Sequence, residues 1–179
     1  MASAEHAEPA APPLVRAATA ADVPVLLEMF SELARYERLE HLLAATEQRL
    51  GDALFGERPA AAALLAESGV EVAGYAVFFP TFSSFLVIQG VWLEDLYVRP
   101  AHRGAGVGRA LLAAVAAHVR ACGGERLEWS ALDWNELALG FYRRIGAQTM
   151  NEWITHRLVG EDLERLAGAA AAGPIAERR

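Results

Sequence analysis

VWLEDLYVRPAHRGAGVGRALL, Val91 to Leu112, carries most of what this chain discloses about its fold. Its first half is dense in β-branched, aromatic and aliphatic residues. It ends at Pro100, which has no N–H to continue a ladder, so Val91–Arg99 reads as a buried strand. Its second half turns through Gly104, Gly106 and Gly108 into a segment where Val107, Leu111, Val115 and Val119 recur every four residues. That spacing predicts an amphipathic helix running to Cys122 and closed by Gly123-Gly124. The next apolar run, Arg126–Ala131, reads as a strand, and a strand–helix–strand unit predicts parallel pairing. Two features of the stretch ask for more than packing. Glu94 and Asp95 stand in the middle of a strand that otherwise wants to be core, and three alternating glycines stand between Arg103 and Arg109.

On the N-terminal side, Leu14–Ala18 reads as a short strand. Thr19 or Asp22 then opens a helix with Pro24 in its first turn and an apolar stripe of Val25, Leu26, Met29, Phe30 and Leu33, fading near Tyr36. Thr46 opens a second short helix that stops at Gly51 or Gly56. Ala61–Glu67 and Val70–Phe79 read as a hairpin turned at Ser68-Gly69, and Pro80–Gly90 as a loop with aromatics. On the C-terminal side, Asn135–Ile145 reads as a helix stopped by Gly146, Ile154–Leu158 as a last strand and Glu161–Leu166 as a last helix. The order β-α-α-β-β-β-α-β-α-β-α is that of a mixed-sheet α/β or α+β domain, antiparallel in its first half and parallel in its second. Residues 1–13 and 168–179 read as loose tails flanking one domain at 14–167.

The length of 179 residues suits one domain, and 54% hydrophobic residues suffice for a core, although many of these are alanines that bury little area. A net charge of −7 argues against nucleic acid and anionic membrane surfaces and suits a cationic small molecule. The one cysteine, Cys122, excludes an intrachain disulfide and a cysteine metal cluster, and reads as a buried, inert thiol. The five histidines show no metal-ligand spacing, so no metal is expected. The first residues, MASAEHAEPAAPP, lack the basic and apolar regions of a signal peptide, and no apolar run approaches the ~20 residues of a membrane span. A soluble, cytoplasmic protein is expected.

Backbone N–H groups at a helix N-terminus, with the positive end of its dipole, attract phosphate, and glycines let the anion approach closely. Gly104-x-Gly106-x-Gly108-Arg109 lacks the third glycine of a dinucleotide fingerprint and the Gly-Lys-Ser/Thr of a P-loop. It reads either as an anion cradle or as a helix cap with no ligand. Strand alternation puts Glu94 on a face with Trp92, Leu96 and Val98, and Asp95 on the other with Leu93 and Tyr97, unless a bulge intervenes. Each acid serves a site or makes a structural hydrogen bond or ion pair, because a buried charge without a partner is too costly to keep.

Arg103-Gly-Ala-Gly-Val-Gly108 resembles the Arg/Gln-x-x-Gly-x-Gly/Ala signature of the GNAT acetyltransferase superfamily. LARYERLE (33–40), LEDLYVRP (93–100), LEWSALDWNELALGFYRRIGA (127–147) and EWITHRL (152–158) are similar to its diamine acetyltransferase branch. The resemblance covers about residues 14–167. It implies a sheet of about six to seven strands flanked by helices, with a splayed parallel pair forming a cleft for acetyl-CoA. It implies that Arg103, Gly104, Ala105, Gly106, Val107, Gly108 and Arg109 hold the pyrophosphate. The backbone of Leu96, Tyr97 and Val98 would pair with the pantetheine arm, which Asn135 would also bond, unless Asn135 is only a helix N-cap. Glu94 would face the amine as base or anchor, joined by Asp95. Tyr142 would touch the coenzyme and protonate its departing sulfur. Tyr36, Glu37, Glu152 and Trp153 would line the amine end; the plain readings are a charged helix end for Glu37 and a core or interface residue for Trp153.

The implied activity is acetyl transfer to the primary amine of a small cationic metabolite, by direct attack in a ternary complex within a homodimer. Two alternatives are a protein lysine or N-terminal acetyltransferase and a non-catalytic CoA-binding module. Phe82-Ser83-Ser84-Phe85 stands where relatives often carry Tyr-Ser-Thr-Trp, and Trp92 where tyrosine is frequent. These departures leave the acceptor open among diamines, polyamines and thialysine-like amino acids.

Overall fold

The computed structural model describes residues 12–170. The two tails expected at 1–13 and 168–179 therefore lie largely outside the described residues. The chain divides into two compact units, one ending at Ser130 and the other beginning at Ala131.

The first unit is a five-stranded sheet with helices on both faces. Its strands are β1 (Leu14–Ala17), β2 (Ala62–Ser68), β3 (Glu71–Ser83), β4 (Ile88–Val98) and β5 (Arg126–Trp129), and they lie side by side in chain order. The first four pair antiparallel, and β5 joins β4 in parallel. Helices α1 (Val23–Glu37) and α2 (Glu47–Phe55) cover one face, where Leu26, Met29, Leu50 and Leu54 pack with Leu65, Tyr75, Val77 and Tyr97. Helix α3 (Val107–Ala121) covers the other. The four-residue recurrence that predicted α3 is the buried stripe itself: Val107, Leu111, Val115 and Val119, with Leu112, are all buried. At about 1.5–3 kcal/mol per buried aliphatic side chain, this stripe supplies on the order of 10 kcal/mol before entropy. Gly74 lets α3 approach the sheet, since a Cβ there would lie 2.7 Å from the Tyr97 carbonyl oxygen and 3.2 Å from side-chain atoms of Val107 and Leu111.

The local signals at the helix ends act as expected. Thr46 accepts a hydrogen bond from the Arg49 N–H and caps α2, which runs past Gly51 to Gly56. Asp22 caps the Thr19 turn and is gripped by Arg16 through two nitrogens at 2.8 Å, which holds its carboxyl well below the usual carboxylate range. Helix α1 ends where Arg38 takes the left-handed conformation (φ 61°), its N–H bonding back to carbonyls of the last turn.

Four expectations need correction. The sheet has five strands among the described residues, not six to seven, because Ile154–Leu158 forms no strand: its alternation finds no neighbouring ladder. Pro80–Gly90 is mostly hairpin. Strand β3 runs on to Ser83 and β4 begins at Ile88, and Pro80 is tolerated because β2 starts opposite Phe78, leaving that end of β3 unpaired on its other side. Strand β5 stops at Trp129, two residues short of Ala131. Cys122 is exposed rather than buried; it sits on the C-cap of α3, past the buried stripe, with its sulfur 3.6 Å from His118 Nε2.

The second unit contains α4 (Glu136–Arg144), capped by the Asn135 side chain, and α5 (Gly160–Gly168).

Candidate active site

The question raised by Glu94 and Asp95 is answered by register. Val77 pairs with Asp95, but the next residue, Phe78, pairs with Leu93, so β4 carries one extra residue at Glu94. This β-bulge breaks the alternation. Cross-strand partners share a face. Leu93 therefore goes with Phe78 toward α3, where the Phe78 ring lies 5.0 Å from His118. Asp95 and Tyr97 go with Val77 and Tyr75 toward α1. Leu96 and Val98, opposite Ala76 and Gly74, face α3, with Val98 Cγ2 at 3.5 Å from a Cβ built on Gly108. The bulge that the alternation argument allowed for is thus present, and Glu94 does not share a face with Leu96 and Val98. Glu94 instead turns to the side of Asp95, and its Oε2 accepts the indole N–H of Trp92 at 2.9 Å.

Both acids line one cavity of about 350 Å³ together with Phe30, Leu33, Ala34 and Glu37 of α1, Leu39, Leu42 and Leu43 of the segment after it, and Tyr75 of β3. Three carboxylates thus converge on a wall that is otherwise aliphatic and aromatic, and no basic residue lines it among the described residues. A more open depression of about 580 Å³ lies between the start of α1 and α2 and contains none of the expected site residues.

The electrostatics of the smaller cavity are unfavourable to its own charges. Burial first, and the neighbouring Glu94 charge second, push the Asp95 carboxyl up to about 6, with Glu37 adding to the rise and the Tyr75 hydroxyl opposing it. Burial also raises the Glu37 carboxyl. Tyr75, fully buried, donates its O–H to Asp95 Oδ2 at 3.3 Å, and burial beside that carboxylate raises the phenol well above its ordinary value. A cluster of desolvated like charges in a concave site stabilises a cation that replaces the missing water.

The glycine turn stands at the other end of β4. Gly104 and Gly106 have φ of 80° and 85°, where a side chain is strained, and Gly106 caps α3. A Cβ at either would meet nothing within 4 Å, so their backbone faces open space. The first turn of α3 carries no acidic residue and includes exposed Arg109, so no carboxylate of its own offsets the positive end of the helix. These amides and Gly108 fit an anionic diphosphate. Arg103 points elsewhere. Its Nε donates to the Val98 carbonyl at 3.0 Å, and its guanidinium lies over the Tyr36 ring at 4.8 Å and the Tyr97 ring at 5.9 Å. Tyr36 is accordingly engaged by Arg103 and is not among the residues lining the cavity, whereas Glu37 is. Strand β5 pairs with β4 only from Gly90 to Leu93. Beyond it, Glu94–Val98, including the backbone of Leu96, Tyr97 and Val98, has no strand on that edge among the described residues.

Four expected site residues belong to the second unit. Asn135 Oδ1 accepts the Ala138 N–H at 3.2 Å, so the N-cap role is realised. Tyr142, half-buried, lies on α4 with its ring 5.4 Å from Phe141. Trp153 is 71% exposed, and Glu152 is exposed beside it. Sequence reasoning missed Tyr75, Phe30 and the three leucines after α1. For Tyr75 a signal existed: a buried strand tyrosine needs an acceptor for its hydroxyl, and Asp95 on the next strand was the available one.

An α/β unit with a bulged acidic strand leading through a glycine turn into a helix has the architecture of an acyl-transferring enzyme. A model of the acetyltransferase (GNAT) family matches residues 25–147, and the chain belongs to that family. It is an N-acetyltransferase by its relatives. It is 33% identical to the L-ornithine N5-acetyltransferase NATA1 of Arabidopsis thaliana, over 85% of this chain and 86% of that one. It is 33% identical to the thialysine N-epsilon-acetyltransferase of Mus musculus, over 86% of this chain and 96% of that one. Among solved structures, an integron cassette protein from the mobile metagenome of V. cholerae superposes with a TM-score of 0.74 at 28% identity, covering 89% of this chain and 99% of the other.

Proposed function

We propose that this protein transfers the acetyl group of acetyl-CoA to a primary amine of a small cationic metabolite, such as a diamine, a polyamine or a thialysine-like amino acid. The observation that carries the reading is the bulge at Glu94, which turns two adjacent carboxylates into one cavity with Glu37. The names of the ornithine and thialysine acetyltransferases to which the chain is similar support an amine acceptor. The family match crosses from the first unit into the second, which supports a single acetyltransferase domain at 14–167.

An alkylamine has a pKa near ~10 and arrives as an ammonium that cannot attack a carbonyl. Glu37, Glu94 and Asp95 hold that cation by charge, while Phe30, Leu33 and Leu42 pack on its carbon chain. Asp95 or Glu94 then takes a proton from the nitrogen, directly or through water. Asp95, raised to about 6, is a stronger base than a carboxylate of ordinary value and is still ionised at neutral pH. When bound, acetyl-CoA supplies an acetyl group activated as a thioester. The amides of Gly104 to Arg109 would hold its diphosphate, and the edge of Leu96–Val98 that β5 leaves uncovered, whose Val98 carbonyl already accepts from Arg103, would take its pantetheine arm, which the Asn135 side chain would also bond. Tyr142 donates a proton to the departing sulfur; a phenol near ~10 suits that task. The nitrogen sheds its remaining extra proton to the same carboxylate site once the first has left it; of these two protons one returns, by way of water, to the Tyr142 phenolate, so that a net one ammonium proton is released to solvent per turnover. The transfer is direct, within a ternary complex, and assembly as a homodimer belongs to the same reading.

The test is a panel of free diamines, polyamines, basic amino acids and lysine- or N-terminal peptides with acetyl-CoA, read by thiol release, on wild type beside Tyr142→Phe. Turnover on free amines, with a large loss in the variant and little change in coenzyme binding, is expected. Turnover on peptides alone, or on none of the panel despite coenzyme binding, refutes the reading.

A further inference from the structure

Tyr75 sits at the back of the acidic cavity, fully buried, with a polar atom that no aspect of the family signature explains. Its ring is fixed from two sides, by Phe30 of α1 at a centroid distance of 5.1 Å and by Tyr97 of β4 at 6.1 Å. Its backbone is fixed by the β3–β4 ladder opposite Tyr97. The phenol oxygen is thereby fixed in place, and the acceptor beside it is Asp95 Oδ2 at 3.3 Å. Burial keeps the phenol protonated, so it is a permanent donor. We propose that Tyr75 is a positioning residue for acetyl transfer, its hydroxyl anchoring one oxygen of Asp95 so that the carboxylate stays ionised and presents its other oxygen to the amine.

The chemistry around Asp95 makes such a donor necessary. Glu94 from its own strand and Glu37 from α1 both repel its charge, and the segment after α1 contributes only Leu39, Leu42 and Leu43 to the lining. Arg103 and Arg99, the two arginines whose charge reaches the neighbouring Tyr97, are engaged elsewhere: Arg103 with Val98 and the Tyr36 ring, and Arg99 with Glu28, Glu32 and the Val72 carbonyl. Tyr97, on the same face, bears on Glu32. The Tyr75 O–H is thus the neighbouring group that favours the anion over the acid.

This inference rests on the reading of Asp95 as part of the amine site. The test compares kcat/KM against pH for wild type, Tyr75→Phe, Asp95→Asn and the double variant, using an amine accepted by the wild type. Phenylalanine keeps the ring between Phe30 and Tyr97 and removes only the hydroxyl. Loss of that hydrogen bond raises the Asp95 carboxyl by roughly half to one pH unit. The acid limb of the Tyr75→Phe profile therefore moves up by that amount. The loss is about two- to fivefold at pH 6 and less than twofold at pH 8.5. In the Asp95→Asn background the tyrosine change has no further effect on the profile. An acid limb that stays put in Tyr75→Phe overturns the proposal, whether activity falls uniformly or not at all, and thermal melts with coenzyme titration identify a uniform fall as a folding effect. If Asp95→Asn itself retains the wild-type rate and limb, the placement of Asp95 in the site fails, and Tyr75 with it.

Discussion

Replacing Asp95 by asparagine should make the folded protein more stable at neutral pH while damaging the enzyme. The carboxyl has its ordinary value of 3.8 when the chain is unfolded and about 6 when folded, pushed up by burial and by Glu94. A raised carboxyl means that the folded state binds the proton more tightly. Its contribution to stability is fully present below about pH 4, fades as pH rises, and is gone above about pH 6, where the charged group opposes folding. Two units of difference correspond to a ceiling of about 3 kcal/mol, and water in the cavity mouth reduces this to about 1–2 kcal/mol. Asparagine has the same shape and no charge, and its side-chain carbonyl still accepts from the Tyr75 hydroxyl. Urea unfolding at constant ionic strength should place Asp95→Asn about 1–2 kcal/mol above wild type at pH 8, with the gap about half as large at pH 5. An asparagine variant that is less stable at pH 8, or a gap that does not change with pH, would refute the account of a desolvated acid held against its neighbours. The trade is the one expected of a functional group kept in an unfavourable place.

Two further outcomes follow from the glycines. Gly74→Ala forces a methyl to within 2.7 Å of the Tyr97 carbonyl oxygen and 3.2 Å of Val107 and Leu111; a loss of about 1–3 kcal/mol in denaturant unfolding is expected, since α3 must shift from the sheet. Gly106→Ala puts a side chain at φ 85° without any clash; about 1 kcal/mol of stability should be lost, and calorimetric titration should show acetyl-CoA affinity falling while amine specificity is unchanged.

Much of the architecture was legible because its causes are local. The four-residue recurrence of Val107 to Val119 specifies a helix wherever it packs, and Pro100 and the glycines after it specify the strand's end and the turn. Apolar and β-branched runs bounded by turn residues specify β2, β3 and β4, and the strand–helix–strand order specifies the parallel β4–β5 pair. Glu94 and Asp95 were legible for the same reason, since carboxylates inside an apolar strand need a purpose, whereas Glu37 was reached only through the family resemblance; the three do meet in one cavity. Ile154–Leu158 had the pattern of a strand but no ladder to complete it, because pairing is supplied by a neighbour and not by the segment.

What the sequence by itself determined is therefore the helices, the five strands that form and their order, and the residues able to do acid–base chemistry, which follow from periodicity, side-chain type and family resemblance. The tertiary structure alone decided which way the two acids point. The extra residue at Glu94 is visible only against the register of β3, and a shift of one position exchanges the faces of a strand. It also decided that Tyr75 meets Asp95, that Arg103 turns to Tyr36, and that burial lifts Asp95 toward neutral pH. Hydrogen-bond partners and desolvation are properties of what distant segments bring to a place, and no single stretch of chain contains them.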